Sequence, residues 1–450
     1  MRSAVLSAYR RFMSWAPIDK DVFFYLCATV FAVTTAAVAI SADYREWGEM
    51  AAVAYGIGTA VSAVAAVAAR WGTIGPAAAS FLRRFVVVAV LLGAVVVPLV
   101  CELIWRAEAR PGPNAQSEVA VVERAGDRLA EGRSPYLDHP VTVGVSPRSD
   151  AKSIDANSFY PYLPGMAPFG LANAAAGPAE LGDARLTLAG FTLVVSALAL
   201  LGADATVARR GRVLQFLVVL PTGALAMVTG GDDLPVLALM LAGLVLAARR
   251  RPFLAGLVLG WAATLKFTAW PVIALAVLAV RDRDDRPAPR RYAAAVALVA
   301  VPVIGVGFAT NPGAFFENVI RFPLGLTAVK SPAASPLFGQ MLVTMFPDHR
   351  RLVTAALIVV GLGVVVYALR RWTPRTVAEV ARFTAWAMLL ATLLAPATRF
   401  GYLMYPANLF VWAYLLDGMV PATRTAGAEE GAPAPAPAVL AGGVAPAAPG

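Results

Sequence analysis

The chain has 450 residues, 59% of them hydrophobic and only 15% charged, with a formal net charge of +10, and its mean hydropathy is +0.67. Counting the 37 glycines, the apolar-plus-glycine share is about 67%, against roughly 45–50% in an ordinary soluble domain, which excludes a water-soluble enzyme, a disordered chain and a disulfide scaffold. Cys27 and Cys101 lie in separate apolar runs and supply neither a disulfide framework nor a zinc site.

Crossing a bilayer takes about 20 mostly apolar residues. Runs of that kind open the chain at Val22–Ile40, Met50–Ala69 and Phe85–Trp105. The first follows Arg2, Arg10, Arg11 and Lys20 but is longer than the apolar core of a signal peptide, so it reads as a retained helix. After a long polar segment, 107–185, come Leu186–Val207, Val213–Val228 and Leu234–Ala248. The next stretch, Pro252–Val280, reaches only about 43 Å as helix, short of the roughly 60 Å that two crossings need. It reads as two short or broken helices with a turn near Lys266–Pro271, because a single crossing would reverse the rest of the chain. Tyr292–Thr310 follows, then a second polar segment, 311–351, and then Leu352–Leu369, Phe383–Leu394 and Tyr402–Leu416.

The expectation is an all-α polytopic membrane protein of about twelve crossings. On that count the basic clusters Arg70/Arg83/Arg84, Arg209/Arg210/Arg212, Arg249–Arg251, Arg281–Arg291 and Arg370/Arg371/Arg375 fall on one side. The positive-inside rule makes that side cytoplasmic, together with both termini, and the net charge then reports orientation in the cell membrane rather than nucleic-acid binding. Three regions result: an N-terminal helix pair at 1–84, a membrane core at 85–424 with outer loops 107–185 and 311–351, and a cytoplasmic Ala/Pro-rich tail at 425–450. The tail has too little apolar variety to bury a core and reads as disordered.

Connections as long as the outer loops are uncommon without a function. Within the first, Glu118–Glu131 has helical periodicity, with Val119, Val122, Gly126 and Leu129 on one side and Gly132 as a natural stop before Pro135. Gly126 in its middle costs about 1 kcal/mol relative to Ala. Glu118 stands at the start, where the helix dipole favours a carboxylate. Asp127 and Glu131 read as solvated partners of Arg124 and Arg128.

Lys266 is unusual, since a lysine inside an apolar segment costs roughly 2.5–3.5 kcal/mol. It either faces a wet cavity in the bundle or snorkels to the interface. Asp232 and Asp233 either meet the acceptor or a cation, or cap the helix that follows. Phe159, Tyr160 and Tyr162 either line a sugar or prenyl site or belong to an interfacial aromatic belt. Neither of the two histidines, His139 and His349, has a second histidine or a cysteine near it, so no metal site is expected.

An acidic residue after an early crossing, a short helix, G-x-x-P-Y at Gly132–Tyr136 and the run NSFYPYLPGMAPFGL from Asn157 follow one another along the chain. TGGDDLP at Thr229–Pro235, TLKFTAWP at Thr264–Pro271 and APATRFGYLMYP at Ala395–Pro406 continue the series. In this order the pieces resemble the GT-C superfamily of polyprenyl-phosphate-sugar-dependent membrane glycosyltransferases, in particular the actinobacterial mannosyltransferase-like group, glycosyltransferase family 87. The likeness covers most of Phe85–Leu416. It departs from the common pattern in the extra N-terminal helix pair and in Glu118, which stands where such enzymes usually show Asp.

The resemblance implies inverting mannosyl transfer, at the outer membrane face, from a polyprenyl-phosphate sugar to a lipid, glycan or protein acceptor of the cell envelope, without a cofactor. It implies Glu118 as the base, with Glu123 as second candidate. Lys266, Arg399, Arg321 and Lys330 are the candidates for the donor phosphate, and Asp232, Asp233, Tyr136, Tyr160, Tyr162 and Tyr402 for other substrate contacts. A secondary transporter or lipid-linked-substrate flippase would share the crossings and buried charges. One large early outer loop, rich in acids and aromatics, favours the enzyme.

Overall fold

A computed structural model of the protein describes residues 14–110, 114–146, 149–177, 180–281, 285–327, 329 and 333–419. The tail 425–450 and Lys330 lie outside the described residues. Each of the eleven runs read from the sequence contains at least one helix, although not every helix is a full-length crossing. Helices α1 (Pro17–Val38), α2 (Ala42–Arg70) and α3 (Pro76–Ala107) are followed by the surface helix α4 (Ser117–Ala130). Then come α5 (Ala184–Gly202), α6 (Val207–Val219), α7 (Pro221–Thr229), α8 (Leu234–Ala248), α9 (Pro252–Leu265) and α10 (Trp270–Ala279). The chain continues through α11 (Ala288–Thr310), α12 (Phe338–Met345), α13 (Arg350–Arg371), α14 (Val377–Leu394) and α15 (Met404–Leu416).

Among the described residues seven helices are long and apolar enough to cross a membrane, and the α6–α7 pair, bent by 42°, makes an eighth. Helices α8, α9 and the segment Phe267–Ala279 are shorter. Extended pairing among the described residues comprises an antiparallel hairpin in the first polar segment, β1 (Thr142–Ser146) with β2 (Ser149–Ile154), in which Thr142 faces Ile154, and an isolated parallel bridge between Ala334 and Thr398.

Prolines decide where the long helices bend, and the N-terminal pair supplies the missing partners. Pro98 has no N–H to offer Ala94, four residues back. The helix widens into a π turn over Leu92–Val96, and the Ala94 carbonyl instead accepts from the indole of the fully buried Trp47, at 2.9 Å. Pro221 likewise ends α6, and the Val219 carbonyl there accepts from the Tyr55 hydroxyl at 2.6 Å. Trp47 and Tyr55 both lie on α2, so this helix is bonded into the bundle. One continuous apolar core runs from Tyr25 to Leu416. At its centre α8 buries residues on every side, from Leu234 to Ala247, as a helix apolar all round must. By contrast α13 exposes Val359, Leu362 and Tyr367, a surface suited to lipid.

Helix α4 forms where its periodicity places it. Its end is a Schellman motif, with Gly132 in the left-handed region at φ 70°, Arg133 N–H bonded to the Arg128 carbonyl at 2.8 Å and Gly132 N–H to that of Leu129 at 3.0 Å. Gly126 has a packing reason. A Cβ there would sit 2.1 Å from the Gly170 carbonyl carbon, so the 3-10 turn Pro164–Gly170 lies directly on the helix backbone. The expected partners of Arg124 and Arg128 are not Asp127 and Glu131. Arg124 donates to the Asn157 carbonyl and Arg128 to those of Ser134 and Tyr136, while Asp127 accepts from Asn173 and Glu131 pairs with Arg133. A loop rich in unpaired carbonyls competes successfully with i,i+4 pairing worth only about 0.2–0.5 kcal/mol.

Candidate active site

Two breaks in the helices create the site. Helix α7 ends at Gly230, left-handed at φ 99°, where the N–H groups of Gly230 and Gly231 both reach the Ala226 carbonyl at 3.0 and 2.6 Å. A side chain at Gly230 would strike Val119 of α4. The turn therefore admits α4 at van der Waals distance and delivers Asp232 and Asp233 beside it. Gln116 fixes the approach, its backbone N–H bonding the Thr229 carbonyl at 2.8 Å and its amide donating to Thr229 Oγ1 at 2.7 Å and to the Tyr44 hydroxyl at 2.6 Å. Two residues on, Glu118 turns its carboxylate to the Arg399 guanidinium, in the loop between α14 and α15, and forms an ion pair.

The second break is at Lys266, an extended residue between the end of α9 and the 3-10 turn Phe267–Ala269. The Leu163 N–H bonds the Leu265 carbonyl at 3.0 Å, which lays the aromatic-proline run against this break and the Tyr162 ring 4.9 Å from Lys266 Nζ. The ammonium donates to Asp232 Oδ1 at 2.6 Å and to Asp233 Oδ1 at 2.7 Å. Asp233 Oδ1 also accepts from the Tyr405 hydroxyl at 2.6 Å, and that hydroxyl accepts from Thr268 Oγ1 at 2.7 Å. Asp232 Oδ2 is buried with no hydrogen-bond partner among the described residues. Neither aspartate caps α8 with its side chain, and Lys266, only 11% exposed, does not snorkel.

Electrostatics join the two pairs into one site. Asp232 and Asp233 set two opposite charges against the Lys266 ammonium and offset the cost of burying it. Burial pushes the Asp232 carboxyl up, with Lys266 opposing and Asp233 and Glu118 adding to the rise. Burial likewise raises the Tyr162 phenol well above its usual value, reinforced by Asp232 and Glu118. This phenol stays protonated at neutral pH and remains a hydrogen-bond donor. Among the described residues, no group of three or more His, Cys, Asp or Glu side chains is placed to hold a metal ion.

The model of glycosyltransferase family 87 matches residues 161–396, slightly more than half of the chain. The chain belongs to glycosyltransferase family 87. The matched region contains Tyr162, Asp232, Asp233 and Lys266, while Glu118 and Arg399 flank it. No curated protein matches the chain. Among solved structures it is similar to the crystal structure of ArnT from Cupriavidus metallidurans bound to undecaprenyl phosphate, with 17% identity, a TM-score of 0.43, and coverage of 76% of this chain and 62% of that one. The chain therefore spans less than two thirds of the length of that protein.

The site of this family 87 chain gathers Glu118, Asp232, Asp233, Lys266, Arg399, Tyr162 and Tyr402. Other residues singled out from the sequence lie elsewhere. Glu123, one and a half turns beyond Glu118, is drawn to the opposite side of α4, where both its oxygens accept from Arg106 at 2.8 and 2.6 Å. Arg106 also binds Asp183, which pairs with the fully buried Arg185, so Glu123 belongs to a network tying α3, α4 and α5 together. Arg321 is exposed, paired with Glu317 at 2.9 Å and bonded to the Leu326 carbonyl at 3.1 Å. Tyr136 donates to the Tyr162 carbonyl at 3.0 Å and packs edge-on against Tyr160 and Phe315, buttressing the run that carries Tyr162. The Tyr160 N–H bonds Asn318 at 2.7 Å, and its buried hydroxyl has no partner among the described residues. Gln116, Tyr405, Thr268 and Tyr44 were not anticipated. The first three stand inside or beside the motifs quoted above, whereas nothing in the sequence connects Tyr44, on the extra helix pair, with the site.

Proposed function

We propose that the protein transfers a mannosyl residue, with inversion, from a polyprenyl-phosphate sugar to a cell-envelope acceptor at the outer membrane face. The observation that carries this reading is the Glu118–Arg399 pair set beside the Lys266–Asp232–Asp233 cluster at one end of the bundle. In the proposed reaction the Glu118 carboxylate takes the proton of the acceptor hydroxyl as its oxygen attacks the anomeric carbon. The bond from that carbon to the phosphate oxygen breaks, and the polyprenyl phosphate departs with the electron pair. Arg399 exchanges its bond with Glu118 for one with the phosphate, which neutralises the leaving group and releases the base together. Lys266 stays largely committed to its two aspartates and adds the nearest remaining positive field. Asp232 Oδ2, free of partners, accepts from a sugar or acceptor hydroxyl.

What supports the proposed sidedness is the placement of arginine clusters in the loops away from the site, as the positive-inside rule expects of the cytoplasmic face. The mannosyl assignment rests on the family resemblance. The test is transfer of radiolabelled mannose from polyprenyl-phosphate mannose in membranes carrying wild type or Glu118→Gln, where the variant loses roughly 10²–10⁴-fold in rate. Equal transfer by both proteins overturns Glu118 as base, and absence of transfer by wild type from this donor overturns the donor assignment.

A further inference from the structure

A second charged site lies at the far end of the bundle, where the chain turns from α13 into α14. The turn frames an open cavity of about 610 Å³ lined by Arg370, Arg371, Arg375 and Arg382, with Trp372 and Phe383 among its walls, a size within the roughly 300–1,000 Å³ typical of ligand sites. Helix α14 has 18 residues, so at 1.5 Å per residue the cavity is about 27 Å from the loop carrying Arg399. It is separate from the site described above.

The cavity has surplus positive charge. Arg382 is paired with Asp417. Glu379, the carboxylate in the lining, is turned to the backbone, accepting from the N–H groups of Arg375 at 2.7 Å and Thr376 at 3.3 Å in a capping box. Among the described residues no carboxylate pairs with Arg370, Arg371 or Arg375. Three guanidinium groups around a turn at the membrane boundary suit a phosphate, which they can grip in bidentate fashion. The neighbouring surface is apolar. Tyr367, one turn before Arg370 and Arg371, is 67% exposed, and Trp386, three residues after Phe383, is 63% exposed. Helical spacing puts both on the faces that line the cavity, and Trp372, 64% exposed, stands between them as an interfacial anchor.

We propose that this cavity binds the phosphate head group of an anionic phospholipid in the leaflet opposite the Glu118–Arg399 site, with the acyl chains lying along Tyr367 and Trp386. Basic pockets between membrane helices recognise lipid head groups in this way. A soluble phosphate would use the same guanidinium groups but not the apolar flanks.

The test uses full-length protein in nanodiscs of equal phosphatidylglycerol and phosphatidylcholine, transferred to detergent, with retained lipids counted by native mass spectrometry. Wild type retains phosphatidylglycerol about 5-fold or more over phosphatidylcholine, and Arg370→Gln/Arg371→Gln/Arg375→Gln falls below about 2-fold. The corresponding triple Lys variant keeps the charge and recovers most of the selection, which separates loss of the site from loss of fold. Arg281→Gln/Arg286→Gln/Arg290→Gln, which neutralises another loop at the same end, selects as wild type does. The proposal is overturned by absence of selection in wild type, by undiminished selection in the triple Gln variant, or by equal loss in the Arg281/Arg286/Arg290 variant. Displacement of the lipid by millimolar inorganic phosphate overturns the lipid assignment in favour of a soluble anion.

Discussion

Glu118 and Arg399 stand 281 positions apart in the chain and form an ion pair in the fold. Arg399 engages one carboxylate oxygen while the other accepts from Ser117 Oγ at 3.2 Å, and the pair gives Arg399 two successive partners if a phosphate arrives.

That exchange predicts different outcomes for the two ends of the pair. Arg399→Met raises the donor KM and lowers kcat/KM by about 100-fold, since a hydrogen bond to a charged group is worth about 1.5–3 kcal/mol. Arg399→Lys, which keeps charge without the guanidinium fork, loses less. Glu118→Gln lowers kcat with little change in donor KM. Steady-state kinetics with varied donor separate these patterns, and an unchanged KM in Arg399→Met would remove the arginine from phosphate binding.

Lys266→Met leaves Asp232 and Asp233 facing each other in a buried site. Loss of one partner from such a cluster costs about 3–5 kcal/mol, so the variant is expected to lose folded yield in detergent. Lys266→Met/Asp232→Asn/Asp233→Asn has no stranded charge and recovers yield but not transfer. Size-exclusion profiles and activity measured together decide this, and full activity in the triple variant would make the cluster purely structural.

Gly126→Ala and Gly190→Ala have opposite expected signs, although Ala is the better helix former by about 1 kcal/mol at both. At Gly126 the new Cβ meets the Gly170 backbone at 2.1 Å, whereas at Gly190 nothing lies within 4 Å. Overpacking of this kind costs about 1–3 kcal/mol. Thermal unfolding in detergent should show a lower midpoint for Gly126→Ala and an equal or higher one for Gly190→Ala.

Asp183 gives a pH signature. Burial opposes its charge, but the Arg185 and Arg106 guanidinium groups prevail and hold its pKa below the ordinary value. A depressed carboxyl contributes stability that is present above the unfolded pKa, about 3.9, and is lost as pH falls through the folded value. The midpoint of wild type should drop as pH goes below about 4, beyond the general acid effect seen in Asp183→Asn. At pH 7 Asp183→Asn should be the less stable protein, because Arg185 is fully buried. Parallel pH slopes for the two proteins would refute the assignment.

Much of this molecule was legible from one dimension of information, the alternation of apolar runs with charge. It predicted the helices, the break at Lys266 and the short helix ending at Gly132, because insertion energy and capping act locally. It also put Glu118, Asp232, Asp233, Lys266 and Arg399 at the same end. What it did not resolve is which neighbouring acid turns inward. Glu118 and Glu123 have similar local contexts, and only the distant Arg399 and Arg106 separate their roles. The participation of Tyr44 was equally invisible, since it depends on how α2 packs against α7 rather than on any motif.

The lengths of α8 and α9 have a consequence for how a substrate arrives. With 15 and 14 residues, these helices extend about 22 and 21 Å, against a hydrocarbon layer of about 30 Å. Both begin or end at the Arg249–Arg251 loop, so their other tips, which carry Asp233 and Lys266, stop several ångströms short of the far bilayer surface. The charged groups thus lie in a recess below head-group level. A sugar carried by a lipid reaches that depth by diffusing sideways within its own leaflet, whereas a freely dissolved sugar nucleotide must descend into it from the water.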